Sequence, residues 1–283
     1  MKICFAKYSF AFLLLAIALT TACRSSEEKL PANSNAVKPS QPATGGGKIG
    51  STVGVYRPAE SRFFLRFENT PGFGDVDIRF GAPGDIPVAG DWDGNGSATA
   101  GVYRPSTSTF LLLNSNAADG PVTTVQFGGK GDIPVVGDWD GNGTVTVGVF
   151  RTSDSTFLLR NSNTPGDPEI TVQFGMSGDI PIAGDWDGIG GATVGVYRPS
   201  AGTFLLRNSN APGKPDISLL FGEKGDIPLV GDWDGNGSWT IGVYKPGIFQ
   251  FVLRNSNTPG EADIAFTYGS AGDKPVAGKW SRN

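Results

Sequence analysis

Residues 90–105 read Gly90-Asp91-Trp92-Asp93-Gly94-Asn95-Gly96-Ser97-Ala98-Thr99-Ala100-Gly101-Val102-Tyr103-Arg104-Pro105, and nearly the same passage returns every 47 residues. It opens again at Gly137, Gly184 and Gly231, and a shortened form, Gly278-Lys279-Trp280, lies near the end of the chain. The second half of the passage, Gly-Val-Tyr-Arg-Pro or a close variant, starts at Gly54, Gly101, Gly148, Gly195 and Gly242. A fixed period of about 40 to 50 residues marks a propeller or solenoid, in which each unit must bury its apolar face against a neighbour.

The third unit shows how one repeat folds. Ile180 to Trp186 reads as a strand, Asp187-Gly188 turns the chain, and Ala192 to Pro199 reads as the next strand. Thr203 to Arg207 forms a third run, stopped by Asn208-Ser209-Asn210 and Pro212-Gly213. Ile217, Leu219 and Phe221 alternate through a fourth, which Gly222 ends. Four short antiparallel strands make a blade. After residue 22 no stretch shows helical periodicity and Gly and Pro recur throughout, so a helical solenoid is excluded.

The expected architecture is therefore all-β: a five-bladed β-propeller of 47-residue, four-stranded repeats, which hides sheet edges in a ring. The repeats begin with a Gly-Val-Tyr-Arg-Pro passage and end with a Gly-Lys-Trp passage, so the cut falls inside one blade. Closure pairs the N-terminal strand Thr52 to Arg57 with the C-terminal strand Pro275 to Trp280. An open array, or a ring completed by a second chain, is the alternative.

Trp92, Trp139, Trp186, Trp233 and Trp280 hold one place in every unit. Two readings stay open: a ring of indoles packed between blades, or a stacking platform for sugars. Asp85, Asp132, Asp179, Asp226 and Asp273 recur in Gly-Asp-Ile-Pro or its variant and read as turn acceptors for backbone N–H groups. Arg57, Arg104, Arg151, Arg198 and Lys245 are expected to pair with those aspartates between blades or to line a polar opening. Arg66, Arg160, Arg207 and Arg254 form a second ring, interrupted by Leu113.

The turn after each Trp-bearing strand is acidic. It carries Asp91, Asp93 and Asn95, then Asp138, Asp140 and Asn142, then Asp232, Asp234 and Asn236, each followed by Gly. Oxygen side chains at alternate positions, with Gly allowing a sharp bend, suit a hard cation such as Ca²⁺. The third copy keeps Asp185 and Asp187 but has Ile189 in the Asn place, and the last has Lys279 for its first Asp. A plain tight turn is the alternative.

These residues resemble the FG-GAP and VCBS type of extracellular repeat over residues 49–283. Phe80-Gly81-Ala82-Pro83, the acidic loop from Gly90 and the apolar passage from Gly101 follow that family's order. The resemblance implies that Asp91, Asp93, Asn95 and their counterparts are calcium ligands. It departs at the ninth place of the loop, where Thr99, Thr146, Thr193 and Thr240 stand instead of Asp, implying weak affinity of roughly 10⁻⁴ to 10⁻³ M. Blade number and period also resemble tachylectin-like lectins, five-bladed propellers that bind one amino sugar per blade.

The sequence contains no His, which removes the commonest general base and zinc ligand. The acids that break the repeat, Glu60, Glu68, Asp119, Asp154, Glu223 and Glu261, have no partner fixed by spacing, and a glycan-cleaving site needs an asymmetric pair. Phe67, Glu68, Trp239 and Phe249 also depart from the repeat.

Residues 1–22 read as a lipoprotein signal, with Lys2 and Lys7 ahead of an apolar run from Phe10 to Leu19 and a lipobox-like Leu19-Thr20-Thr21-Ala22-Cys23. Cys23 is the expected lipidation site and the sole thiol of the exported chain, which rules out an internal disulfide. Residues 23–48 carry that Cys and a linker rich in Ser, Pro, Asn and Gly. Setting aside residues 1–22 removes two of the 23 basic side chains and none of the 27 acidic ones, for a net charge of −6. That balance argues against nucleic acid.

The sequence thus predicts an exported, membrane-anchored lipoprotein at the cell surface or in the periplasm, on the outer membrane where there is one. It would touch the membrane through its lipid alone, be monomeric and non-enzymatic, and bind a repetitive glycan or cell-surface protein. The alternatives are a sugar-binding lectin and, behind it, a glycan-cleaving enzyme.

Overall fold

The protein is described by a computed structural model covering residues 50–281. The signal, Cys23 and the linker lie outside the described residues.

Twenty strands form five four-stranded antiparallel sheets. The first blade holds β1 (Thr52–Arg57), β2 (Arg62–Leu65) and β3 (Val76–Arg79), and the second holds β4 (Ile86–Gly90), β5 (Thr99–Arg104), β6 (Thr109–Leu113) and β7 (Val122–Gln126). The third contains β8 (Ile133–Gly137), β9 (Thr146–Arg151), β10 (Thr156–Leu159) and β11 (Ile170–Gln173), and the fourth β12 (Ile180–Gly184), β13 (Thr193–Arg198), β14 (Thr203–Leu206) and β15 (Ile217–Leu220). The fifth is β16 (Ile227–Gly231), β17 (Thr240–Lys245), β18 (Gln250–Leu253) and β19 (Ile264–Thr267), after which β20 (Lys274–Gly278) returns to the first blade.

The first sheet has the order β20-β1-β2-β3, with Thr52 opposite Gly278 and Tyr56 opposite Lys274. The ring closes through this pairing. The closing strand ends at Gly278 rather than at Trp280, because the chain turns out of the sheet there, as it does after Gly90 in the second blade. The innermost strands β4, β8, β12, β16 and β20 touch one another in sequence around the axis. Each carries one proline, which an edge strand tolerates because its missing N–H leaves no ladder bond broken.

Neighbouring blades are joined by one repeated backbone bond. Val145 N donates to Asp91 O at 2.7 Å, Ala192 N to Asp138 O at 2.5 Å and Trp239 N to Asp185 O at 2.7 Å. The same bond runs from Ser51 N to Asp232 O at 2.6 Å and from Ala98 N to Lys279 O at 2.8 Å, so the seam between the chain ends is stitched like every other.

Within each blade an aromatic on the second strand meets a Phe on the third. Tyr56–Phe63, Tyr103–Phe110, Phe150–Phe157, Tyr197–Phe204 and Tyr244–Phe251 have ring centroids 4.6 to 4.8 Å apart, and all ten rings are fully buried. The turn before the third strand needs a left-handed residue. Ser61, Ser108, Ser155 and Gly202 supply it at φ 51 to 60°, and in the fifth blade Phe249 takes the place at φ 55°. A bulky residue is unfavourable in that region. The Phe249 side chain packs on a cluster that includes Tyr244, Phe251 and Tyr268, which offsets the strain.

Candidate functional site

The five innermost strands enclose a central cavity of about 610 Å³. In β4, Ile86 and Val88 pack on one core cluster and Ala89 on the neighbouring one, and Pro87, Val88 and Ala89 line the cavity with their counterparts from all five blades. The wall is therefore three apolar rings: one of prolines, one of Val88, Val135, Ile182, Leu229 and Val276, and one of Ala89, Val136, Ala183, Val230 and Ala277. The sequence reading missed this surface. The signal was present in the Pro-x-x-Gly run of each unit, whose Pro recurs as faithfully as the Trp and whose fourth place, counting the residue before the Pro, is always Ala or Val.

Past these rings lies a ring of glycines that seats the indoles. A Cβ on Gly184 would stand 2.8 Å from Trp186 Cζ3 and 3.0 Å from Trp239 Cβ, and one on Gly137 would meet Trp139 and Ala192 at 2.8 Å. The five recurring tryptophans are only 4 to 6% exposed. Trp92 packs with Tyr103 and Phe110 of its own blade and with Val147 and Val149 of the next, and Trp139 likewise meets Val194 and Val196. The structure thus places these rings between blades, the first of the two readings, and presents none of their faces as a platform for a sugar.

The acidic turns form the rim of the cavity, where Asp91, Asp138, Asp185, Asp232 and Lys279 stand at equivalent places. Each turn closes on itself. Asp91 Oδ1 accepts Asn95 N at 3.0 Å, Asp91 Oδ2 accepts Gly96 N at 2.6 Å, Asp93 Oδ1 accepts Asn95 N at 3.3 Å, and Asn95 Oδ1 accepts Ser97 N at 2.9 Å. Asp138, Asp140 and Asn142 repeat the pattern. Asp232 accepts Gly237 N, Asp234 accepts Asn236 N, and Asn236 accepts Ser238 N. In the third copy Asp185 takes Gly188 N and Gly190 N, and Asp187 takes Ile189 N, while the Ile189 side chain is left 86% exposed. Burial holds the carboxyls of Asp91, Asp185 and Asp232 above the usual carboxylate range. The loop N–H bonds pull them back, and Asp93, Asp187 and Asp234 push them further up.

The side chains of one turn supply few ligands for a calcium ion. Ca²⁺ takes about six to eight oxygen ligands; a full copy offers two carboxylates and one amide oxygen, which in the first copy also accept N–H groups of the turn, while Asp232 Oδ1 of the fourth copy is buried without a hydrogen-bond partner. The hydroxyls at the ninth place are buried and turned to strand carbonyls. Thr146 Oγ1 donates to Arg160 O at 2.7 Å, and Thr240 Oγ1 to Arg254 O at 2.7 Å. Among the described residues no three acidic, His or Cys side chains converge as a metal-binding group.

At the opposite ends of the innermost strands lies a ring of ion pairs. Arg104 Nε and Nη2 reach Asp85 at 3.0 and 2.9 Å, and Arg198 reaches Asp179 at 2.9 Å through both nitrogens. Arg57–Asp273, Arg151–Asp132 and Lys245–Asp226 complete the set. Each pair lies within one blade rather than between blades, because the Asp precedes the innermost strand and its partner ends the strand hydrogen-bonded to it. The same aspartates also accept a backbone N–H, as expected for turn acceptors, for example Met176 N to Asp179 at 3.0 Å. The second arginine ring is buried and local. Arg207 ties down the 208–216 loop through Ser209, Ala211, Lys214 and Asp216, and Leu113 fills the vacant place.

The acids outside the repeat are dispersed. Glu60 and Glu68 flank opposite ends of β2, Glu60 pairs with Arg57 and Arg62, and Glu223 pairs with Lys245. Asp119, Asp154 and Glu261 lie in three different blades.

The fold and this axial cavity define a five-bladed β-propeller with an apolar channel, acidic at one end and ion-paired at the other. The chain matches no protein-family model, and no curated protein matches it either.

Proposed function

We propose that the domain is a binding module, exported and held at a membrane through lipidated Cys23, which engages a repetitive glycan or cell-surface protein through repeated weak contacts. The observation that carries this reading is the equivalence of the blades. The turns after the first strands and the loops between the third and fourth strands all emerge at the same end of the ring, and in four of the five turns an Asp Oδ2 accepts the N–H of the glycine five residues on. Equivalent surfaces on one rigid frame gain affinity only against a partner that is itself repeated. The ordered ion pairs and the stitched seam support a frame stiff enough to keep those spacings.

The test is binding of the full chain to arrayed glycans and to envelope proteins, each presented as dense multivalent displays and as free monovalent ligand, in millimolar Ca²⁺ and with chelator. The reading expects retention on one class of display, at least tenfold weaker binding of the monovalent form, and little difference on chelation. Equal affinity for both forms, or no binding to either class, contradicts it.

A further inference from the structure

We infer that the central channel is a binding site for a small organic cation carrying an apolar chain, with the chain inside the channel and the charge at the acidic rim. The site shares its acidic rim with the turns that carry the proposed multivalent contacts, and a small monovalent probe tests it separately from them. The cavity of about 610 Å³ is of the size that holds small ligands, about 300 to 1,000 Å³.

Its wall selects the body of the ligand. The ring of Ala89, Val136, Ala183, Val230 and Ala277 has no side-chain hydrogen-bonding group, and the adjoining prolines have no N–H to offer. A polar chain would lose its hydration there without replacement bonds, whereas a hydrocarbon chain gains from leaving water.

The rim selects the charge. Asp91, Asp138, Asp185 and Asp232 outweigh the single Lys279, and the second aspartates of the same turns add to the negative field. The far end carries Arg–Asp and Lys–Asp pairs that compensate each other, so the channel is electrically polarised and a charged amphiphile enters in one orientation.

A third feature breaks the fivefold symmetry at the same rim. Trp239 lines the cavity where the other blades have Ser51, Ala98, Val145 and Ala192, and its backbone N–H is bonded to Asp185 O. An indole at the rim of an acidic cavity is a favourable contact for an ammonium group. Trp239 also packs against the core cluster that holds Ile182 and Trp186, and it fills the place with far more volume than its four counterparts.

The probe is n-octyltrimethylammonium, titrated calorimetrically into the full chain below its micellar range. Octanoate serves as the same tail with opposite charge and tetramethylammonium as the charge without the tail. The inference expects one octyltrimethylammonium per chain and about tenfold or weaker binding of each control. Ala183→Leu should abolish binding by filling the channel. Trp239→Ser, which restores the residue type found at Ser51, should weaken it several-fold in a protein whose circular dichroism is unchanged. Absence of binding, equal binding of octanoate, several ions per chain, or full binding by a folded Ala183→Leu protein overturns the inference.

Discussion

Val53 on β1 lies directly opposite Ala277 on β20, across 224 positions of sequence, in a non-hydrogen-bonded pair. The pair type follows from the neighbouring ladder, where Val53 O accepts Arg66 N at 2.9 Å on the β2 side, leaving the β20 side free of Val53 backbone bonds. This contact joins the two ends of the repeat array in one blade. The account of the domain as a rigid fivefold frame depends on it.

The glycine ring is expected to tolerate no side chain. Gly137→Ala places a methyl 2.8 Å from both Trp139 and Ala192, an overpacking that costs about 1 to 3 kcal/mol and lowers Tm by roughly 3 to 10 °C in a domain of this size. Gly247→Ala is the control, since a Cβ there meets nothing within 4 Å and the residue has no positive φ. Its Tm should stay level or rise slightly through loss of unfolded-state freedom. Thermal melts of the two variants side by side check the contrast.

The ion-pair ring should behave as structure. Asp179 is 1% exposed and accepts two Arg198 nitrogens and Met176 N. Asp179→Ala leaves the guanidinium and the turn amide without their acceptor, and a loss of about 2 to 3 kcal/mol is expected, the Arg being partly solvated. Denaturant unfolding measures it. Arg198→Lys should cost less than the aspartate change, because a lysine can keep one of the two bonds, as Lys245 does with Asp226.

Alkaline stability should be set by buried phenols. Burial raises the Tyr hydroxyls of all the blades that carry one, and Tyr197, Tyr244 and Tyr268 are pushed up to about 12. The unfolded chain ionises its tyrosines near the ordinary value of about 10. Between those values the folded state holds more protons, so stability falls as pH rises. It is fully present below about pH 10 and lost as pH approaches 12. Tyrosinate absorbance followed together with circular dichroism should show ionisation rising with unfolding. Full ionisation of a still-folded protein would show that the phenols are accessible.

The strand order, the blade number and the closing pair were legible because the turn-forming residues and the alternation recur at one period, so errors in one unit are corrected by the next. The role of Trp92 and its counterparts was not legible. An aromatic at the end of a strand suits both a core and a platform, and only the tight approach of Gly90 to the indole and to Val145 decides for the core. The partner of each Arg was equally hidden, since Asp85 and Arg104 are 19 positions apart and become neighbours only through the β4–β5 register. The acidic turns carry two roles in one spacing: Asp91, Asp93 and Asn95 suit a cation loop, and the same side chains accept the N–H groups that close the turn.

The most direct test of the closed ring is a disulfide between Val53→Cys and Ala277→Cys in a full chain with Cys4 and Cys23 replaced by Ser. A non-hydrogen-bonded antiparallel pair has the short separation that a disulfide needs. The account predicts rapid intramolecular crosslinking, seen as a faster-migrating monomer on a non-reducing gel, with a raised Tm. Crosslinked dimers or longer chains in place of that monomer would contradict it and show an array completed by a second copy.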